Sequence, residues 1–171
     1  MNINKIKPGV YVYYVSVGIC EVKAVENVNG QEHYVLETIN EKDSCKLFIP
    51  TNNEVMVGRI HHILTKEEID AVLNDYKEDL VVWNSNRKER TEQFTSIIRS
   101  YDFVQILGMV RCLYVKSNEL KNEKKRLSTF DSDILKKAQN IIDEMLSFSL
   151  KIPRQEVGDY IRSSINNGLT F

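Results

Sequence analysis

The stretch richest in chemistry is Trp83-Asn84-Ser85-Asn86-Arg87-Lys88-Glu89-Arg90, where the only tryptophan of the 171-residue chain stands ahead of three basic residues. Asn84 is a candidate helix N-cap, which makes Trp83 the N′ residue and Lys88 the N4 residue. A hydrophobic staple needs an apolar N4, so on this register nothing local buries the indole. Cations in a first turn also oppose the helix dipole, a small penalty that phosphates outside the helix would offset. Two roles stay open for Trp83. It plugs a seam between two domains, or it is an aromatic wedge against bases, flanked by phosphate contacts from Arg87, Lys88 and Arg90. A second cluster, Lys124-Lys125-Arg126, runs into a helix start at Ser128, where free backbone N–H groups favour anions; a solvated loop is the plain alternative.

Catalytic chemistry has little support. The seven glycines (9, 18, 30, 58, 108, 158, 168) are too scattered for a dinucleotide or Walker loop, and there is no Gly-x-Ser-x-Gly elbow. His33 lies in a strand pattern. His61 and His62 are strand neighbours that point to opposite faces and do not converge on one metal. Cys20, Cys45 and Cys112 are odd in number and widely spaced, so they read as small core residues and not as a disulfide framework or metal knuckle. No two carboxylates stand apart as an acid/base pair. The expectation is a non-enzyme without cofactor or metal.

The elements that must position these residues change character near residue 64. Before it, short β-branched and aromatic runs ended by turn signals predict five strands: Val10–Val15, Ile19–Val28, Glu32–Ile39, Cys45–Pro50 and Arg59–Leu64. Asn29-Gly30 suits a tight hairpin, and Asn40 to Ser44 makes the next turn. Five strands with no room for crossover helices imply an antiparallel sheet curled into a small Tudor/SH3-like barrel. Afterwards the period becomes helical. Thr65-Lys66-Glu67-Glu68 is a capping box ahead of Ile69, Val72, Leu73 and Tyr76, and residues 75–82 hold a boundary. Phe94, Ile97, Ile98 and Tyr101 form one stripe, and Phe103, Ile106, Leu107, Val110, Leu113 and Tyr114 a second, capped by Asp102. The cleanest stripe is Ile134, Leu135, Ala138, Ile141, Ile142, Met145 and Leu146, with Ser128 and Asp131 at N-cap and N3. A last helix starts with Pro153 at N1 and carries Val157, Tyr160, Ile161 and Ile165. The fold class is therefore α+β: a barrel over 1–64, a connecting helix and linker over 65–82, and an all-α helical bundle over 83–171.

Composition is that of an ordinary globular chain, with 42% hydrophobic residues and 23 Lys+Arg against 24 Asp+Glu for a formal charge of -1. No apolar run approaches the roughly 20 residues of a bilayer span, and the start, Met1 to Lys5, lacks a secretory stretch, so a cytoplasmic monomer off the membrane is expected. The near-zero charge conceals unlike parts. Residues 1–74 carry 7 basic and 10 acidic residues, whereas residues 83–126 carry 10 basic and 5 acidic. A regulator that finds DNA by charge alone is excluded, but one brought to DNA by another protein is not.

With these residues in place, the chain resembles the CarD/CdnL/TRCF family of bacterial RNA polymerase-binding transcription regulators. Gly9-Val10-Tyr11-Val12-Tyr13-Tyr14-Val15-Ser16-Val17-Gly18 is similar to the family's Gly-Asp-x-Val-Val-Tyr-Pro-x-His-Gly opening. Tyr34-Val35-Leu36 resembles the central strand, and Phe48-Ile49-Pro50 with Asn53, Val57-Gly58 and Arg59 resembles the Val-Pro-x-x-Asn…Val-Gly-x-Arg segment. Trp83-Asn84, Val110-Arg111-x-Leu113-Tyr114, Lys124-Lys125-Arg126-Leu127 and Leu135-x-Lys137-Ala138 follow in the family's order. The resemblance implies a barrel that docks by strand pairing on the lobe of the polymerase β subunit, with Val28, Lys46 and Phe48 in contact. It implies a helical domain that meets promoter DNA at the minor groove of the bubble's upstream edge, with Trp83 as wedge and Arg87, Lys88, Arg90, Lys124, Lys125 and Arg126 on phosphates. A polymerase-binding adaptor or competitor that does not engage DNA is the alternative. Phe48 stands where a basic contact residue is usual, and Ser85-Asn86 replace the pair of arginines after the tryptophan, so weak DNA binding by the protein alone is expected.

Overall fold

The structure is a computed structural model that describes residues 6–39, 44–77 and 80–165. The chain divides into two units, Met1–Leu64 and Thr65–Phe171. In the first, β1 (Tyr11–Tyr14), β2 (Gly18–Val28), β3 (Gln31–Thr38), β4 (Lys46–Pro50) and β5 (Ile60–His62) form one antiparallel sheet in the order β4-β3-β2-β1-β5. All five expected strands are present. β2 pairs with both β1 and β3, and a register shift between Val22 and Ala24 bends it, which lets five short strands curl over one core. The β2–β3 hairpin turns on Asn29 and Gly30, at φ 53° and 82°, the left-handed conformations that this pair tolerates. Of the expected Asn40–Ser44 turn, residues 40–43 lie outside the described residues.

Alternation along the strands puts Val12, Tyr14, Cys20, Val22, Tyr34, Leu36, Ile49 and Ile60 into that core. Leu36 is wholly buried, so its truncation to Ala would cost about 2–5 kcal/mol. A short helix unforeseen from sequence, α1 (Glu54–Val57), precedes β5. Asn53 caps it by accepting the Met56 N–H at 3.1 Å, and Met56 and Val57 pack against the core. The cysteines do not share one environment: Cys20 is buried, Cys112 half-buried and Cys45 exposed. The core reading therefore fails for Cys45, which lies just before an edge strand.

The second unit contains α2 (Lys66–Asn74), α3 (Arg87–Ser100), α4 (Phe103–Asn122), α5 (Thr129–Leu150) and α6 (Arg154–Ser164). α2 begins at the expected capping box and buries Ile69 and Leu73. It packs on α5 and α6 within the helical unit, so it is part of the bundle and not a free connector. Tyr160 of α6 donates a hydrogen bond to Asp70 of α2, which also accepts from Lys66. Asp102 and Ser128 cap α4 and α5 as expected, whereas Pro153 is the N-cap of α6 and Arg154 its first helical residue. The interior is built from Phe94, Ile106, Leu107, Met109, Leu113 and Leu146, each almost wholly buried. No helix among the described residues is long and apolar enough to cross a membrane.

Candidate functional sites

The approach to Trp83 is set by a glycine. A Cβ on Gly108 of α4 would lie 2.9 Å from the Leu80 Cβ and 3.2 Å from the Val81 Cγ2, so only glycine lets residues 80–81 lie flat on that helix. Val81 is thereby buried, Val82 is left 65% exposed, and Trp83 follows half-buried.

The helix after it starts two residues later than sequence reasoning placed it. Asn86, not Asn84, is the N-cap of α3, and its Oδ1 accepts the N–H groups of Lys88 and Glu89 at 3.0 and 3.4 Å. The physical reason is an Asx-type relay: Asn84 Oδ1 accepts the Asn86 N–H at 2.8 Å, and both asparagine amides donate to the Glu89 carboxylate. This register makes Arg90 the N4 residue. Its guanidinium Cζ lies 4.1 Å from the centroid of the Trp83 ring, a cation–π contact, and Phe94 meets the ring at 6.4 Å with a 60° tilt. The local reason for seating the indole exists after all, and it is an arginine.

Arg90 itself is only 7% exposed. Its Nε and Nη2 donate to Asp131 Oδ1 and Oδ2 at 3.1 Å each, and its Nη1 donates to the Asn84 carbonyl at 2.7 Å. Asp131, 1% exposed, also accepts from the Ser128 hydroxyl at 2.6 Å, while its own N–H donates to Ser128 Oγ. The expected phosphate contact by Arg90 is therefore corrected: its donors face the protein interior, because an unpaired buried cation or carboxylate there would be costly.

The same ion pair holds the start of α3 against the start of α5. Arg87 and Lys88, exposed in the first turn of α3, and Lys124, Lys125 and Arg126, exposed just before Ser128, thus belong to two helix starts joined beneath Trp83. Lys116 of α4 adds an ammonium 5.6 Å from the indole centroid. Lys125 is paired with Glu123 at 2.8 Å, which holds the glutamate below and the lysine above their usual ranges. Beside the indole a cleft of about 270 Å³ is lined by Val82, Cys112 and Val115 together with the charged Arg111, Lys116 and Glu119, and burial pushes the Cys112 thiol up to about 11. Sequence reasoning found the tryptophan and the cations. It missed Asp131, whose cap signature was visible but whose partner is 41 residues away, and Gly108, which carried no signal.

In the barrel, Val28, Lys46 and Phe48 share one face. Val28 pairs with Gln31, Phe48 with Val35 and Lys46 with Glu37, and the three β3 residues, four and two apart, point the same way. Val28 and Phe48 are 37% and 48% exposed, with buried Val35 between strands β2 and β4. Glu37 also meets Lys23 at 3.6 Å, so the charged end of this face is internally paired. β4 ends the sheet order, with β3 as its one sheet neighbour among the described residues. The histidines are a half-buried His33, bonded through Nδ1 to the Gln31 carbonyl at 2.8 Å, a half-buried His61 whose burial lowers its pKa, and an exposed His62. No group of three or more His, Cys, Asp or Glu among the described residues could hold a metal ion.

An exposed edge strand beside an apolar row is the kind of surface on which a partner can add a strand or cover a face. Residues 6–64 match the CarD-like/TRCF RID domain, and this barrel belongs to that family of non-catalytic, RNA polymerase-interacting domains. The match ends where the helical unit begins. No curated protein matches the chain.

Proposed function

We propose that the protein is a transcription regulator that binds the lobe of the RNA polymerase β subunit through its barrel and promoter DNA through its helical unit. Val28, Lys46 and Phe48 meet the polymerase, and the open edge of β4 pairs with a strand of the partner. Trp83 acts at the minor groove by the upstream edge of the transcription bubble, with Arg87, Lys88, Lys124, Lys125 and Arg126 on the neighbouring phosphates. The observation that carries the DNA half is the junction of the two basic helix starts beneath the one tryptophan, through the Arg90–Asp131 pair.

Little bulk charge is needed. The polymerase supplies localisation, so a weak DNA contact acts at high effective concentration. A wedge that binds distorted DNA better than closed duplex shifts the opening equilibrium by that difference in affinity and by no more. A second reading, an adaptor or competitor that occupies the polymerase without engaging DNA, draws on the half-buried state of the indole and the pairing of Lys125 with Glu123.

Site-specific photo-crosslinking separates the two. With a crosslinking side chain at Lys88 in a polymerase–promoter complex, the proposal expects adducts on DNA at the upstream edge of the bubble. Adducts on polymerase alone would favour the adaptor.

A further inference from the structure

We infer that Arg90 is the positioning residue of Trp83: clamped by Asp131, its guanidinium fixes the orientation in which the indole is presented to DNA. The inference rests on the wedge reading for its purpose but not for its geometry.

A buried ion pair is weak evidence for stability, since apolar residues of similar volume often do as well. What the pair adds here is direction. The carboxylate of Asp131 holds two corners of the guanidinium, and Nη1 holds the Asn84 carbonyl, one residue from Trp83. The planar fork is thus fixed relative both to α5 and to the segment that carries the indole, with its centre 4.1 Å from the ring. Asp131 is held in turn by Ser128 at the start of α5. An aliphatic residue at position 90 would keep this part of the helix start apolar but lose the anchored guanidinium over the ring, leaving the indole free to turn and to open to solvent. A lysine would keep the charge but lose the three-point fork. A cation–π contact biases the held orientation by about twofold to thirtyfold, enough to preorganise a wedge before it meets DNA.

The test uses the full chain, in which Trp83 is the sole tryptophan and reports its own environment. Arg90→Gln leaves Asp131 buried and unpaired and risks misfolding, so the decisive variant is Arg90→Met combined with Asp131→Leu, with Arg90→Lys beside it. In the double variant we expect an unchanged circular dichroism spectrum, at least about a twofold rise in acrylamide quenching of Trp83, and lower fluorescence anisotropy at early times. Arg90→Lys should restore neither fully. Unchanged quenching and anisotropy in the double variant would overturn the positioning role whatever happens on DNA. A fall of about one in the slope of log affinity against log salt for the double variant, with the indole undisturbed, would make Arg90 a phosphate contact and overturn it equally. Failure of the wedge reading is separate: it shows as unaltered promoter kinetics in Trp83→Ala while the indole still responds to the loss of Arg90.

Discussion

The Arg90 guanidinium and the Asp131 carboxylate meet at two points, Nε to Oδ1 and Nη2 to Oδ2, each 3.1 Å, across 41 residues of chain. Asp131→Asn removes one charge and strands the other, which costs about 3–5 kcal/mol by the usual penalty for breaking a buried pair. Urea unfolding of the helical unit measures this. Ser128→Ala, which removes the α5 cap and one bond to Asp131, should cost about 1 kcal/mol, clearly less.

Gly108→Ala sets two effects against each other. In an ordinary helix interior the change stabilises by about 1 kcal/mol. Here the new Cβ would stand 2.9 Å from the Leu80 Cβ, and overpacking of that kind costs about 1–3 kcal/mol. We expect net destabilisation together with a red shift of Trp83 emission as residues 80–83 lift. A gain in stability with unaltered emission would show that this segment is not seated on α4.

Phe48→Asp places a charge in the exposed apolar row, and Lys46→Glu reverses the cation two residues earlier on the same strand face. Both side chains lie on the solvent side of β4, so the melting temperature should change little. Co-purification of RNA polymerase should be lost with Phe48→Asp and reduced with Lys46→Glu. Retained binding by both would move the interface off this face.

The tie between α2 and α6 carries an acid-sensitive group. Hydrogen bonds from Lys66 and then Tyr160 hold Asp70 below the usual carboxylate range. A carboxylate lowered in the folded state contributes stability that is complete above its unfolded pKa and is lost as pH falls through the folded one. The wild type should therefore lose stability below about pH 4 faster than Asp70→Asn, which lacks this contribution at every pH. Parallel acid limbs of the two unfolding curves would contradict the assignment.

Sequence was most informative where local physics decides. The five strands, the Asn29-Gly30 hairpin and the caps at Thr65, Asp102 and Ser128 all depend on residues within a few positions of each other. The α3 start was misread because Asn84 and Asn86 are equal candidates locally, and the choice turns on how Glu89 gathers both amides. From that shift of two residues followed the misreading of Arg90, which looked like one more surface cation. Its true partner belongs to another helix, and no pattern along the chain joins them. Cys45 was misplaced for a related reason: whether a residue beside an edge strand is covered depends on what packs there, not on its own type.

The central claim is that Trp83 acts on promoter DNA from a protein tethered to the polymerase. The lifetime of open complexes challenged with a competitor, at saturating wild-type or Trp83→Ala protein, tests it most directly. We expect equal polymerase occupancy and a severalfold shorter lifetime with the variant. Equal occupancy with identical lifetimes would contradict the claim.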